Sequence, residues 1–145
     1  MIRITLTLLP LLLVPGRIPM AAPQADATLA AEQPVEIDIY DLTDIVWQPG
    51  DPLPQDVLDL DGKRVVVRGY MHQSILSRTN EFPLVNDACQ CTGNLMPHHF
   101  IEVDLGPRET DPIPGSFEVI GTLDIGEVEQ DGFVVSVYRL RGKIY

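Results

Sequence analysis

One stretch restricts the fold more than any other. From Lys63 to His72 the chain alternates strictly, with Val65, Val67, Gly69 and Met71 on one side and Arg64, Val66, Arg68, Tyr70 and His72 on the other. A period of two is the signature of a strand with one face buried. Gly69 stands inside it, and an interior glycine weakens a flat strand but permits a sharp bend, as at a barrel corner. A bent strand can serve two halves of a small closed sheet. The remaining elements must therefore suit a β architecture, and they do.

Phe82–Val85 reads as a second strand, placed at an edge because Pro83 lacks an N–H. Phe100–Leu105 is a third, with Ile101, Val103 and Leu105 facing in and Glu102 and Asp104 facing out. Phe117–Leu123 is a fourth, with Gly121 as a bend and a continuation through Glu127–Glu129. Asp131-Gly132 is a hairpin turn, and Phe133–Leu140 is the fifth strand. No segment sustains a helical period of 3.6. The spacing predicts an all-β fold, a small five-stranded OB-like barrel over residues 56–145, with an open sandwich of the same strands as the alternative.

Upstream, residues 1–27 have the three parts of an export signal. Arg3 precedes an apolar run from Ile4 to Val14, and small residues lead to Ala25-Asp26-Ala27. The run is shorter than the roughly 20 residues a membrane-spanning helix needs. The expectation is a periplasmic or secreted protein with no stable membrane span after cleavage. Residues 28–55 read as a flexible N-terminal leader and an irregular connector. Within it Val35–Ile39 alternates like a short strand, and Trp47 is expected to plug one end of the core. Pro49, Gly50, Pro52 and Pro54 break regular structure, and Val57 and Leu58 suit a single helical turn.

Charge narrows the partners. The 145-residue chain carries a net charge of −11, and loss of Arg3, Arg17 and Asp26 with the signal takes it to −12. Such a polyanion is repelled by nucleic acid and by anionic lipid. Asp51, Asp56, Asp59 and Asp61 crowd together without the ordered ligand loop of a calcium site, so they read as solvated surface.

Chemistry concentrates in Cys89-Gln90-Cys91-Thr92-Gly93-Asn94-Leu95-Met96-Pro97-His98-His99. It holds both cysteines and two of the three histidines. Three readings compete. In the first, Cys89 and Cys91 form a disulfide, as export favours. Their Cα atoms, two apart in an extended chain, are then about 6–7 Å apart, at the upper limit for such a bond. In the second, the thiols and an imidazole bind zinc or copper(I), the ions these donors suit. His98 and His99, if they start a strand, point to opposite faces, so only one of them joins the thiols. His72 is the other candidate, with Met96 or Met71 for a soft ion. The third reading, a redox thiol pair, lacks both the Cys-x-x-Cys spacing and the βαβ setting. No catalytic constellation emerges. Ser116 and Ser136 have no nucleophile-elbow sequence, and Glu102 with Asp104 reads as a solvated strand face. The chain is not expected to be an enzyme.

Leu60–Met71, Phe82-Pro83-Leu84-Val85, the cysteine-bearing loop ending in Pro97, Gly121–Glu127, Gly132 and Ser136–Leu140 together resemble an exported bacterial family catalogued as a domain of unknown function. The resemblance spans about residues 60–140. It implies an OB-like exported domain and, through some members, a link to metal uptake, with a metal-uptake or other envelope protein as partner. Two departures stand out. His72 replaces an expected proline, and His98-His99 replaces a more neutral pair. The functional expectation is thus an extracytoplasmic domain that binds or handles zinc or copper through Cys89, Cys91, His98, His99 and His72. The alternative is a protein-interaction module in which Cys89–Cys91 is only a structural disulfide and Arg68, Tyr70 and Tyr138 form the binding face.

Overall fold

The structure is a computed structural model that describes residues 33–87 and 95–145. Residues 1–27, where an export signal is expected, and Cys89 and Cys91 lie outside the described residues. Six strands and two helical turns follow one another as β1 (Val35–Ile37), α1 (Ile39–Thr43), α2 (Gln55–Leu58), β2 (Arg64–Met71), β3 (Glu81–Val85), β4 (Ile101–Asp104), β5 (Ser116–Gln130) and β6 (Phe133–Ile144). They make one sheet in the order β1-β2-β3-β4-β6-β5, in which β2 also pairs with β5. Among the described residues there are six strands, where the sequence pattern predicts five.

The sixth strand comes from the alternating stretch at Val35. It stops at Ile37 rather than Ile39 because Asp38 acts as a helix cap. The Asp38 carboxylate accepts the Tyr40 N–H at 3.0 Å, and the next five residues turn into α1. A capping carboxylate satisfies a donor that a continuing strand would have left to solvent. β1 then pairs parallel with β2, Val35 opposite Val65 and Ile37 opposite Val67. Residues 33–55 thereby add Ile37, Ile39, Leu42 and Trp47 to the core.

β2 follows its pattern: Val65, Val67, Gly69 and Met71 are buried, and Arg64 and Arg68 exposed. It runs antiparallel to β5 from Arg64 to Tyr70 and, at its far end, antiparallel to β3 through Tyr70 and Met71. Gly69 is where this double engagement needs room. A Cβ there would lie 2.8 Å from both the Leu84 side chain and the Val85 carbonyl oxygen.

Pro83 predicts an edge position, yet β3 lies between β2 and β4. The missing donor falls where the β2–β3 ladder ends. His72 donates its N–H to the Pro83 carbonyl at 3.0 Å, and the His72 carbonyl accepts instead from Ile75 at 3.1 Å. The proline thus costs no unpaired acceptor.

β4 buries Ile101 and Val103 and pairs parallel with β6, Ile101 opposite Tyr138. The β5–β6 hairpin turns at Asp131 and Gly132, whose φ angles of 52° and 83° are both left-handed. That pair of angles is what an Asp-Gly two-residue turn provides. Val65, Val67, Leu84, Val119, Leu123 and Leu140 are fully enclosed. Each such side chain contributes roughly 1.5–3 kcal/mol by leaving water. Among the described residues no helix is long and apolar enough to cross a membrane.

Candidate functional site

The cysteines fall within residues 88–94, between the described Asp87 and Leu95. The described chain is fastened on both sides. At the first, Asn86 donates to Thr43 Oγ1 at 3.1 Å, and its carbonyl accepts from the Tyr40 hydroxyl at 3.3 Å. α1 therefore holds the exit of β3. At the second, the Pro97 carbonyl accepts the Val137 N–H at 3.2 Å, so β6 holds the return.

The return is a tight turn rather than a strand. His99 donates its N–H to the Met96 carbonyl at 2.9 Å, and Met96 donates its own N–H to His99 Nδ1 at 3.4 Å. β4 begins only at Ile101. This corrects the expectation that His98 and His99 point to opposite faces. In the turn their rings meet, with centroids 4.3 Å apart at 71°. His98 is the buried one, at 5% exposure, and its ring packs edge-on against Trp47 at 5.5 Å. His99 is half-buried beside it.

Trp47 is 3% exposed and plugs the core as expected. Its indole N–H donates to the Asp51 carbonyl at 2.9 Å, which closes the proline-rich connector over the ring. Tyr138 belongs to the same core. It is fully buried and donates its hydroxyl to the Leu42 carbonyl at 2.8 Å. Tyr138 therefore does not share a surface with Arg68 and Tyr70, because β6 turns its ring inward, on the side of Leu140. Burial pushes the Tyr138 phenol up to about 12.

His98 Nδ1 and Ser136 Oγ are buried without a hydrogen-bond partner among the described residues. Burial holds the His98 imidazole below its ordinary range, and the neighbouring His99 ring lowers it further. The ring is therefore neutral at neutral pH and keeps a lone pair, the form in which histidine ligates metals. His72 is engaged differently. Its Nδ1 lies 2.8 Å from Ser74 Oγ and accepts the Ser74 N–H at 3.3 Å. Among the described residues, no three His, Cys, Asp or Glu side chains come together as a metal cluster. His72 thus adds no third ligand to His98 and His99.

The remaining candidates separate. Arg68 pairs with Glu118 at 2.5 Å on the outer face. Arg68 and Tyr70 line a groove of about 420 Å³ together with Tyr40, Asn86 and Ser116. Sequence reasoning does not join Trp47 to His98 or Thr43 to Asn86. No periodicity signals such contacts, since they arise where a turn and a connector are folded over one end of the sheet.

No family model matches the chain, and no curated protein matches it. Among solved structures it is similar to the crystal structure of a DUF3299 family protein from Pseudomonas aeruginosa PAO1. The identity is 18% and the TM-score 0.49, and the match covers 77% of this chain and 94% of that one.

Proposed function

We propose that this is an exported OB-like barrel whose 89–99 loop binds or delivers zinc or copper(I) outside the cytoplasm. The barrel reading rests on the pairings: β2 to β3, β3 to β4, β4 to β6, β6 to β5, and β5 back to β2 form a ring, with β1 added beside β2. A ring of five strands with one parallel contact suits an OB-like closure. The carrying observation for the site is His98, a buried neutral imidazole whose Nδ1 has no partner among the described residues. A buried polar atom without a partner costs about 1–3 kcal/mol, and a ligand is one way to satisfy it. It lies seven residues after Cys91, and the described chain on either side of residues 88–94 is held by hydrogen bonds at Asn86 and Pro97. Two thiolates, His98 Nδ1 and the adjacent Met96 thioether make a donor set that suits a soft or borderline ion.

The test is intact mass of the mature chain, native and denatured, after exposure to zinc and to copper(I). Uptake of one ion, abolished in Cys89→Ser/Cys91→Ser and weakened in His98→Ala, is the expected result. A wild-type chain that takes up neither ion sinks the reading.

The groove beside Arg68, Tyr70 and Tyr40 favours a second reading, the interaction module with Cys89–Cys91 as a staple. A mature chain two hydrogens lighter, metal-free, and losing a copurified protein on Tyr70→Ala would select it.

A further inference from the structure

The distal part of the β5–β6 hairpin is built unlike the rest of the sheet. β4 covers β6 only from Tyr138 onward, and Val137 is met by Pro97. Among the described residues no strand pairs with Phe133–Ser136 on the side away from β5. This open edge reads Phe-Val-Val-Ser. Phe133 is 74% exposed, and Val135, two residues on, is exposed as well. Folded proteins guard such edges with lysine, proline or a bulge, because unpaired N–H and C=O groups beside apolar side chains recruit another strand. Here one register shift puts an extra residue on β5 between Ile125 and Val128 and the other puts Val135 as an extra residue on β6, so Phe133–Ser136 carries a bulge but neither lysine nor proline.

Charge selects the occupant. Glu127, Glu129 and Asp131 are all exposed on this arm, and no Lys or Arg occurs anywhere from Glu109 to Tyr138. Glu127 spends one oxygen on the Gly50 N–H at 2.7 Å, which also braces the base of the arm. A second copy of the chain, added edge to edge, would bring these carboxylates against their own duplicates. Anionic lipid is repelled for the same reason. We infer that the open edge of β6 at Phe133–Ser136 docks an extended, cationic and apolar polypeptide segment by strand addition. Its main chain extends the ladder of β6, its apolar side chains cover Phe133 and Val135, and its lysines or arginines meet Glu129 and Asp131. Addition of an extended peptide to a sheet edge draws affinity from main-chain bonds and specificity from alternate side chains. This inference is independent of the metal site.

The probe is a fluorescent synthetic peptide alternating lysine with valine, titrated into the full chain and followed by anisotropy. A matched peptide alternating glutamate with valine is the control. Saturable binding of the lysine peptide is expected, with affinity falling as salt rises. The double substitution Phe133→Lys/Val135→Lys should weaken it at least about tenfold, and Glu129→Lys should weaken it less while removing part of the salt dependence. All three side chains are exposed, so the variants should keep the wild-type circular dichroism and melting temperature. No binding by the wild-type chain, equal binding of the two peptides, or undiminished binding by the folded double variant overturns the proposal. A wild-type chain that instead self-associates in sedimentation, and becomes monomeric on the same double substitution, overturns it too.

Discussion

The two ends of the β5–β6 hairpin treat their aromatic rings in opposite ways. At the proximal end, Tyr138 lies at zero exposure with its hydroxyl on the Leu42 carbonyl, and Trp47 of the same core is sealed by the connector. At the distal end, Phe133 stands 74% exposed. Five residues of one strand separate the two conditions. The proximal ring stabilises the fold, and the distal ring leaves apolar area in water, where it contributes nothing to folding. The contrast teaches that a strand's residues are not spent uniformly: Ser136–Leu140 in the middle of β6 is largely core, whereas Phe133–Val135 is largely surface.

The contrast breaks first at Trp47. Trp47→Ala should cost about 3–5 kcal/mol by urea denaturation, since it empties a core position and uncovers His98. A loss under about 1 kcal/mol would mean the connector does not seal that end. Next comes Tyr138→Phe, which strands the Leu42 carbonyl in the interior and should cost about 1–3 kcal/mol. The same phenol gives an alkaline signature. Because its folded value is raised to about 12, the folded chain keeps a proton that the unfolded chain releases near pH 10. Stability should therefore fall as pH rises above about 10, and this part of the fall should vanish in Tyr138→Phe.

His98 predicts the opposite slope on the acid side. Its folded value lies below the ordinary imidazole value of about 6.5. The unfolded chain binds the proton more readily, so stability is full above that value and is lost as pH falls below it. Melting temperatures compared between His98→Leu and wild type should therefore change their difference across this window, with wild type losing ground at acid pH. A constant difference would place the ring in contact with water. The smallest effect belongs to the distal end: Phe133→Ser should change stability by no more than about 0.5 kcal/mol.

Much of the sheet is legible in the residues because period-two burial is a local property. Val65, Val67, Ile101, Val103 and the Asp131-Gly132 turn all announce themselves within a few positions. What escapes is nonlocal. Pro83 argues for an edge until the Ile75 N–H takes up the acceptor it leaves free. Asp38 reads as the outward member of a strand until its carboxylate caps α1. Tyr138 alternates with Arg139 as an outer or inner residue with equal ease, and only the docking of Leu42 decides. His98 and His99 read as the start of β4, where adjacent side chains diverge. The turn anchored by Met96 brings them together instead, and no spacing rule announces a turn that depends on Val137.

The position of β2 has a kinetic consequence. Its neighbours are drawn from both ends of the domain, with Val35 opposite Val65 and Thr122 opposite Arg64. The strand that best encodes its own shape is thus among the last to find all its partners. Topologies dominated by such distant pairings fold in roughly milliseconds to seconds rather than microseconds. During synthesis, N-terminus first, β2 emerges long before β5 exists to cover it. Val65 and Val67 then wait in water, and this interval is when the chain is most exposed to misassociation.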